Sequence, residues 1–557
     1  MSASAALHAP IAAEQAFPTL TPQQIARLSA HGTKHTVQTG DVLYEAGQTT
    51  YPFVVVIRGE IAVVRPTPNG EQSIATHHAG QFTGELNLLS GRRPLVTVRA
   101  TQPTDVVELS REALLAVVQT DADLSEVLMR AFVLRRALLL DRGAGDALVL
   151  GSKYSPRTLE LREFLSRNIH PHTYIDLDDD PSSQEMLDHF HVSAGEIPLV
   201  ICRGSVVLRS PTNSQLAECL GFNQGIDVAE GHVRDVVIVG AGPAGLGAAV
   251  YAASEGLDVL MLEANAPGGQ AGSSMRIENY LGFPSGITGF ELAARAYSQA
   301  EKFGAQMMIA RGATRLVCSE RPYAIEVDNG PRVTAKTVII ATGAEYRGLP
   351  IDNLARFYGA GVYYLATPME AQLCKSEPVI IVGGGNSAGQ AAIFLAQTAS
   401  RVIMIVRSAG LGETMSRYLV RRIEETPNIE VRAHCEVAAL DGDSHLQRVH
   451  CRASDGSEST EEVRHLFVMT GAVPATKWLH GCIALDADGF IKTGPDLTRE
   501  DLDAAHWPLA RPPHLLETSV PHVFAIGDVR CGNIKRVASA VGEGSIAIAF
   551  VHRVLHE

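Results

Sequence analysis

The sequence predicts a multidomain α/β protein whose N-terminal part is a β-roll. Short strands separated by turns recur between residues 40 and 108, a pattern typical of antiparallel β-rolls. Strand and helix patterns alternate from residue 147 to residue 202. Two β-branched runs then lead into glycine-rich turns and alanine-rich helices, at residues 236–249 and 379–392. With 557 residues the chain is too long for a single hydrophobic core, so we expect several domains.

The amino-acid composition limits the classes of binding partner that are expected for this protein. The formal net charge is -14 and no basic stripe occurs, which argues against a nucleic-acid or anionic-membrane surface. The start of the chain lacks a charged leader region, and no run of about 18 apolar residues is found. We therefore expect a cytoplasmic protein without a membrane span. Eight irregularly spaced cysteines without a CxxC pair predict neither a disulfide framework nor a metal site.

The predicted N-terminal β-roll is followed by predicted helices at residues 111–120 and 124–140. Within the roll, one segment has the pattern of a ligand-binding motif. Residues 82–89 resemble the cyclic-nucleotide-binding domain family. In that family backbone amides and a glutamate hold the ligand, which implies Gly84 and Glu85 here.

The arginine with which that family binds the phosphate has no direct counterpart. Its position, nine residues after Glu85, is occupied by Pro94, so Arg93 would have to shift in register to pair with a phosphate. Two alternatives stay open, a cyclic-nucleotide site and a degenerate domain kept for packing or dimerisation.

The second segment contains a predicted helix at residues 184–190 and an Ile197–Pro198 pair before a further strand. Its order of elements resembles the glutaredoxin and thioredoxin-like family, whose members have CxxC at the first helix and a cis-proline opposite. Ser152 and Ser155 take the cysteine positions, and Pro198 takes the proline position. Because a hydroxyl cannot form a disulfide, we expect either a docking platform or a purely structural domain.

The first glycine-rich unit follows a predicted buried strand at residues 236–239. Gly240, Gly242 and Gly245 let the backbone approach a pyrophosphate, which the N-terminus of the next helix attracts. Glu263 closes the next predicted strand, where a carboxylate accepts a hydrogen bond from an adenosine ribose. Strand, glycines, helix and distal carboxylate occur in order and predict a dinucleotide-binding unit.

Six motifs in the C-terminal part occur in the order found in thioredoxin reductases, which this part resembles. They lie at residues 236–245, 267–270, 277–284, 338–343, 379–388 and 523–540. The resemblance implies two Rossmann-like units, the second inserted into the first, with FAD and NADPH as cofactors, and a homodimer. The implied FAD residues are Gly240, Gly242, Pro243, Ala244, Gly245, Glu263, Gly269, Gln270, Asn279, Thr342, Gly343, Gly527, Asp528, Arg536, Val537 and Ala538. The implied NADPH residues are Gly383, Gly385, Asn386, Ser387, Ala388 and Arg407.

Arg407 follows the second strand of the inserted unit, where NAD-specific units have an acidic residue. A guanidinium there favours the 2′-phosphate, so NADPH is expected in preference to NADH. Thioredoxin reductases have further arginines nearby, which this chain lacks. Arg417, Arg421 and Arg422 on the next helix either replace them or form a solvated basic face.

The main departure from thioredoxin reductases concerns their redox cysteines. Leu365 and Pro368 occupy the two positions, so electrons cannot leave a flavin by that route. Cys531 and Cys374 are the remaining redox candidates, with inert core cysteines as the alternative.

The sequence thus predicts an FAD-dependent NADPH:acceptor oxidoreductase that transfers electrons to a small oxidant or a redox protein. The alternatives are a disulfide reductase that uses a cysteine elsewhere and a non-catalytic nucleotide or redox sensor. The predicted domains are a β-roll (1–142), a glutaredoxin-like domain (143–225), a linker (226–233), an FAD domain (234–347 and 473–557) and an NADPH domain (348–472). Hinges between the last two are expected near residues 343–348 and 470–474.

Overall fold

A computed structural model describes residues 13–557 except 68–69, 142–146, 179–195, 204–205, 227–230, 275–276, 359, 365, 367, 444 and 480. The helix predicted at 184–190 and position 365 therefore lie outside the described residues.

The N-terminal domain consists of two antiparallel sheets with helices at both ends. Its elements are α1 (Ala13–Ala16), α2 (Pro22–Ser29), β1 (Thr33–Val37), β2 (Val42–Tyr44), β3 (Phe53–Arg58), β4 (Glu60–Thr67), β5 (Gly70–His78), α3 (Leu86–Ser90), β6 (Thr97–Ala100), β7 (Thr104–Leu109), α4 (Arg111–Thr120) and α5 (Ala122–Asp141). The sheet orders are β1-β7-β3 and β2-β6-β4-β5. Phe53, Phe82 and Phe132 are fully buried and pack their rings together in the core. The predicted roll and its following helices are confirmed.

The middle domain has a four-stranded mixed sheet. Its elements are β8 (Ala147–Gly151), α6 (Pro156–Arg167), β9 (His172–Asp176), β10 (Leu199–Cys202), β11 (Val206–Arg209) and α7 (Asn213–Leu220). The order is β11-β10-β8-β9, with β8 parallel to β9 and antiparallel to β10. The Ile197–Pro198 peptide bond is cis, as the sequence predicts. Ser155 caps α6 by accepting a hydrogen bond from the Thr158 amide.

The third domain is built on a seven-stranded sheet. The elements before its insertion are β12 (Val233–Val239), α8 (Pro243–Ser254), β13 (Val259–Glu263), α9 (Gly289–Lys302), β14 (Gln306–Ile309), β15 (Ala313–Val317), β16 (Tyr323–Val327), β17 (Val333–Ile340) and β18 (Ala344–Tyr346). The strand order is β14-β13-β12-β17-β16-β15, and a strand from the end of the chain also pairs with β17. β12 is an interior strand that pairs in parallel with both β13 and β17, and its residues 236–239 are buried whichever face they point to, which explains the unbroken apolar run there.

The inserted unit has its own parallel sheet and an antiparallel three-stranded sheet. Its elements are β19 (Val362–Tyr363), α10 (Pro368–Leu373), β20 (Pro378–Val382), α11 (Asn386–Leu395), β21 (Arg401–Ile405), α12 (Arg417–Glu424), β22 (Ile429–Arg432), β23 (Cys435–Gly442), β24 (Leu446–Ala453), β25 (Glu458–Glu461) and β26 (Leu466–Val468). The parallel order is β19-β26-β20-β21-β22. The chain then returns to the third domain through β27 (Ala472–Pro474), α13 (Arg499–Ala504), β28 (Val523–Ala525) and α14 (Val537–Leu555).

The two connections to the inserted unit run side by side. β18 and β27 form an antiparallel pair. Thr342 donates a hydrogen bond to the Ala475 carbonyl at 2.9 Å, and Thr470 donates to the Arg347 carbonyl at 2.6 Å. Both segments predicted as hinges therefore belong to one two-stranded ribbon, while motion about it stays a prediction.

α14 is, in the described part of the chain, the one helix whose length and composition would allow it to cross a membrane. Its residues Ala540, Ala547 and Ile548 are buried in the same cluster as the alanines of α8. The apolar composition of α14 is accounted for by this packing.

A disulfide joins Cys318, just after β15, to Cys482. The two Cα atoms are 6.0 Å apart, although 164 positions separate the residues in sequence. The sequence predicts no disulfide framework, and this one disulfide was not anticipated from it. The pair cannot be recognised from the spacing of the cysteines in the sequence, because the whole inserted unit lies between the two residues.

Buried arginines connect the N-terminal domain to the other two. Arg92 donates to the Tyr297 hydroxyl of α9 at 2.8 Å and lies over the Phe222 ring at 4.7 Å. Arg136 on α5 donates to the Ile169 carbonyl of the middle domain at 2.7 Å. These contacts hold the three domains against one another.

Candidate functional site

The first glycine turn begins where β12 ends. Gly240 has a φ of +103°, and a Cβ at this position would lie 2.4 Å from the Ala341 carbonyl oxygen. A Cβ on Gly245 would lie 1.9 Å from the Gly240 carbonyl oxygen. Both positions require glycine, since a side chain would push α8 away from the strand. Gly242 caps α8 and would meet no atom closer than 3.9 Å, which leaves room for a ligand.

Two helix N-termini open on the same cleft. α8 and α14 pack so closely that a Cβ on Gly544 would lie 2.6 Å from the Ala244 carbonyl oxygen. Pro243 at the start of α8 and Val537 at the start of α14 both line the cleft. Helix N-termini have positive partial charge, so this part of the cleft favours an anion such as a pyrophosphate.

The cleft has a volume of about 1820 Å³ and brings together most of the predicted residues. From the predicted FAD set its wall contains Gly240, Gly242, Pro243, Ala244, Glu263, Gly269, Gln270, Asn279, Thr342, Gly343, Gly527, Asp528, Arg536 and Val537. From the predicted NADPH set it contains Gly383, Gly385, Asn386, Ser387 and Arg407. Gly245, Ala538 and Ala388 lie outside the wall, and of these Gly245 and Ala388 are buried within their helices' packing faces.

Glu263 ends β13 beside the first glycine turn. Its carboxylate accepts hydrogen bonds from the amides of Ala241 at 2.8 Å and Asn265 at 2.9 Å. Burial raises the pKa of this carboxyl, while the backbone hydrogen bonds and Arg167 act in the opposite direction. Glu263 therefore ties the glycine turn to the loop after β13.

Arg167 comes from the middle domain and is part of the cleft wall. Its guanidinium donates to the Gly269 carbonyl at 2.8 Å and to the Ala266 carbonyl at 3.3 Å. A second contact from the same domain joins Asn213 to Asn265 at 3.0 Å. Sequence reasoning missed Arg167, because an arginine in the last turn of an ordinary helix carries no local signal of a cofactor site.

The C-terminal part of the cleft is organised by Glu543 on α14. Its carboxylate accepts from the Gly527 amide at 2.7 Å, from Arg530 at 2.7 Å and from Asn533 at 2.8 Å. The turn that these bonds hold presents Asp528 to the cleft. Burial raises the pKa of Asp528, and Lys535 opposes that change.

The second glycine turn lies at the end of β20. Gly383 has a φ of +143°, and a Cβ there would lie 2.3 Å from the Met469 carbonyl oxygen. Gly385 caps α11. The Asn386 side chain accepts from the Ser416 amide at 2.8 Å, which holds the loop before α12 over this helix start.

Arg407 is exposed and lines the cleft just after β21. The arginines of α12 have other contacts: Arg421 donates to Glu425 at 2.8 Å, and Arg422 donates to the Tyr418 hydroxyl at 3.0 Å. Arg417, Arg421 and Arg422 are absent from the cleft wall, so Arg407 is the arginine of this group that lines the cleft.

The two cysteine candidates do not line the cleft. Cys374 is fully buried, and burial raises the pKa of its thiol to about 12. Burial also raises the pKa of Cys531, with Asp486 adding to the shift. Both side chains are thiols rather than thiolates at neutral pH, which disfavours a nucleophilic role. Pro368, which the sequence comparison with thioredoxin reductases predicts to stand at a cysteine position, begins α10.

The predicted ligand residues of the N-terminal domain are only partly brought together. Gly84 and Glu85 line a small cavity beneath α5. Arg93 is not in its wall and donates instead to Gln224 of the middle domain. Pro94 lines the cavity at the position of the missing arginine.

Comparison with known proteins identifies the family. Residues 234–544, more than half of the chain, match the profile described as "Pyridine nucleotide-disulphide oxidoreductase". The chain belongs to this family. As a member of the pyridine nucleotide-disulphide oxidoreductases, the protein is an FAD-dependent oxidoreductase with FAD and NADPH as cofactors. Residues 34–121 match "Cyclic nucleotide-binding domain".

Similar proteins cover the C-terminal part of this family member. Thioredoxin reductase from Mycoplasmopsis pulmonis is 31% identical over 58% of this chain and 97% of its own length. NADPH-dependent thioredoxin reductase 3 from Arabidopsis thaliana is 30% identical over 63% of this chain and 65% of its own length. Solved thioredoxin reductases from T. acidophilum (30% identity) and Lactococcus lactis (FR conformation, 26%) each give a TM-score of 0.52 over 58% of this chain, covering 99% and 100% of theirs.

Gly544→Ala should loosen the cofactor site, because its Cβ would meet the α8 backbone and separate the two helix N-termini. We expect a loss of about 1–3 kcal/mol in the free energy of unfolding, together with reduced bound flavin. Gly542→Ala is the matched control on the same helix, since a Cβ there meets nothing within 4 Å. That control should be neutral or stabilising. Denaturant unfolding and the flavin-to-protein absorbance ratio provide the measurement, and equal behaviour of the two variants would contradict the packing argument.

Arg167→Gln should weaken FAD retention, because the loop containing Ala266 and Gly269 loses its cationic donor. We expect an increase of roughly tenfold or more in the FAD dissociation constant, measured by flavin fluorescence during titration of the apoprotein. Glu163→Gln is the control, because Glu163 pairs with Arg167 at 3.5 Å without touching the loop. If Arg167→Gln retains flavin as tightly as this control, Arg167 has no role in the cofactor site.

Proposed function

We propose that this protein is an NADPH:acceptor oxidoreductase that delivers electrons to an acceptor other than the family's own redox disulfide. The observation that carries the proposal is a single cleft lined by both glycine turns, combined with Leu365 and Pro368 at the positions of the two cysteines of thioredoxin reductases. Neither side chain contains sulfur, so this position cannot pass electrons onward.

The residues of the first unit fit FAD. The tight turn at Gly240 and the helix start at Pro243 suit a pyrophosphate, and Glu263 lies where an adenosine ribose would be held. FAD held by these residues would supply the redox chemistry, namely two-electron transfer between NADPH and the acceptor. The protein contributes binding and electrostatics: Arg536 and the N-terminus of α14 bring positive charge to the cleft, which favours a negatively charged reduced cofactor.

The inserted unit fits NADPH. Gly383 and Gly385 form the second phosphate-binding turn, and Arg407 is placed after β21 to meet a 2′-phosphate. The ribbon of β18 and β27 is the proposed hinge about which this unit changes its angle to the flavin.

We infer that the acceptor is a small oxidant or a redox protein. Cys374 and Cys531 are absent from the cleft wall, and so are Cys318 and Cys482, which are joined to each other. Because none of these four cysteines lines the cleft, an acceptor that takes electrons without a protein thiol is consistent with the structure.

The middle domain is proposed to be a thioredoxin-like domain without dithiol chemistry. The sheet order β11-β10-β8-β9 and the cis Ile197–Pro198 bond support this assignment. Ser152 donates to Asp178 at 2.7 Å and Ser155 caps α6, so both hydroxyls have structural roles. Arg167 makes the domain part of the flavin site. The homodimer and the cytoplasmic location stay predictions.

Anaerobic NADPH should bleach the bound flavin within seconds, and a quinone or another small oxidant should restore its colour. Stopped-flow absorbance followed by a panel of oxidants measures both steps. Absence of bleaching would favour the sensor alternative. Turnover of dithionitrobenzoate that disappears in Cys318→Ser or Cys531→Ser would instead favour a disulfide reductase that uses a cysteine elsewhere.

Arg407→Gln should reduce kcat/KM for NADPH roughly tenfold to a hundredfold and change kcat/KM for NADH little, because the 2′-phosphate loses its cationic partner. Arg421→Gln is the control, since Arg421 pairs with Glu425 on an exposed helix face. Equal losses with both cofactors in Arg407→Gln would contradict phosphate recognition by this residue.

A further inference from the structure

The N-terminal domain encloses a cavity of about 70 Å³ between β4, β5 and α5. Much of its wall is apolar and includes Val63, Ile74, Leu95 and Leu139. Phe17, just after α1, closes one side. The cavity is separate from the cofactor cleft, with which it shares no residue.

Four polar side chains in this wall have a buried atom without a protein partner. These atoms are the Tyr51 hydroxyl, His77 Nδ1, Glu85 Oε1 and Arg135 Nη2. The side chains are well buried: their residues are 7%, 2%, 9% and 6% exposed, respectively. Unpaired buried polar atoms are costly, and four of them around one cavity indicate a ligand that supplies hydrogen bonds to at least some of them.

The charges around the cavity favour an anion. Arg135 donates to the carbonyls of Ala16 at 2.8 Å and Gly84 at 2.9 Å, but no carboxylate accepts from it among the described residues. The nearest carboxylate, Glu85, is bonded at 3.2 Å by Arg136. His77 is neutral at pH 7, because burial lowers its pKa to about 3. Arg135 is thus a buried guanidinium with no carboxylate partner among the described residues, which favours an anionic ligand at this position.

The volume of the cavity and the position of the neighbouring arginines favour a ligand smaller than a nucleotide. An engineered protein cavity of about 150 Å³ holds benzene, so a cavity of about 70 Å³ admits a smaller molecule. Pro94 replaces the phosphate-binding arginine, and Arg92 and Arg93 are engaged with Tyr297 and Gln224 in other domains.

We propose that this cavity binds a small hydroxycarboxylate of about five non-hydrogen atoms. Arg135 Nη2 and the Tyr51 hydroxyl donate to its carboxylate. Glu85 Oε1, which can only accept as a carboxylate, takes a hydrogen bond from its hydroxyl. The apolar side chains of the wall lower the local dielectric constant and so strengthen these bonds.

Isothermal titration calorimetry of the full-length flavoprotein with glycolate tests the proposal. We expect saturable binding with one site per chain, about tenfold weaker binding of acetate, which lacks the hydroxyl, and none of the neutral glycolamide. Equal affinities of glycolate and acetate, binding of glycolamide, binding of cyclic AMP that competes with glycolate, or no heat with any of them would overturn the proposal.

Two variants assign the binding to this cavity. Arg135→Gln should abolish glycolate binding, whereas Arg130→Gln on the exposed face of the same helix should not change it. Arg135→Gln also removes bonds to Ala16 and Gly84, so Tyr51→Phe provides an independent check that preserves packing. Tyr51→Phe should weaken glycolate several-fold without lowering the free energy of unfolding. Glycolate affinity unchanged in Tyr51→Phe would overturn the assignment. None of these measurements depends on flavin turnover, so they stand apart from the proposed oxidoreductase function.

Discussion

The close packing of α8 against α14 is the constraint on which the cofactor cleft depends. Ala244 and Gly544 bring the two backbones into contact, and no side chain larger than hydrogen fits at Gly544. The contact places both helix N-termini on the same cleft, to which each contributes positive partial charge. It also places Glu543 where it can hold the turn that presents Asp528. A single close approach between two helices thus sets the shape and the charge of the site.

Hydrogen bonds from three arginines connect the domains to one another. Arg92, Arg136 and Arg167 each donate to a hydroxyl or a carbonyl of another domain. A buried guanidinium is costly to desolvate, and these hydrogen bonds offset part of that cost. Pro94 stands at the position of the arginine that cyclic-nucleotide-binding domains use for phosphate, and the neighbouring Arg92 and Arg93 contact other domains. Arg135, from a different element, supplies positive charge to the remaining cavity.

Short sequence patterns predicted the structure correctly where the feature is formed by residues close together in the chain. The glycine spacing at Gly240 and Gly383 reflects turns closed within a few residues, so the motif predicted the turn and its place on the cleft. Strand periodicity likewise predicted the β-roll. Arg93 was expected at the phosphate position only because it is adjacent in sequence to the position of the family's arginine. In the structure its side chain instead donates a hydrogen bond to Gln224 of the middle domain.

The sequence by itself determined the two glycine turns and the absence of cysteine at positions 365 and 368, because each depends on residue identity at short spacing. Only the tertiary structure decided that Arg167 enters the cofactor cleft, that Cys318 meets Cys482, and that four polar groups surround a cavity beneath α5. The physical reason is the same in each case. These contacts join residues far apart in the chain, and their geometry exists only after the domains have packed.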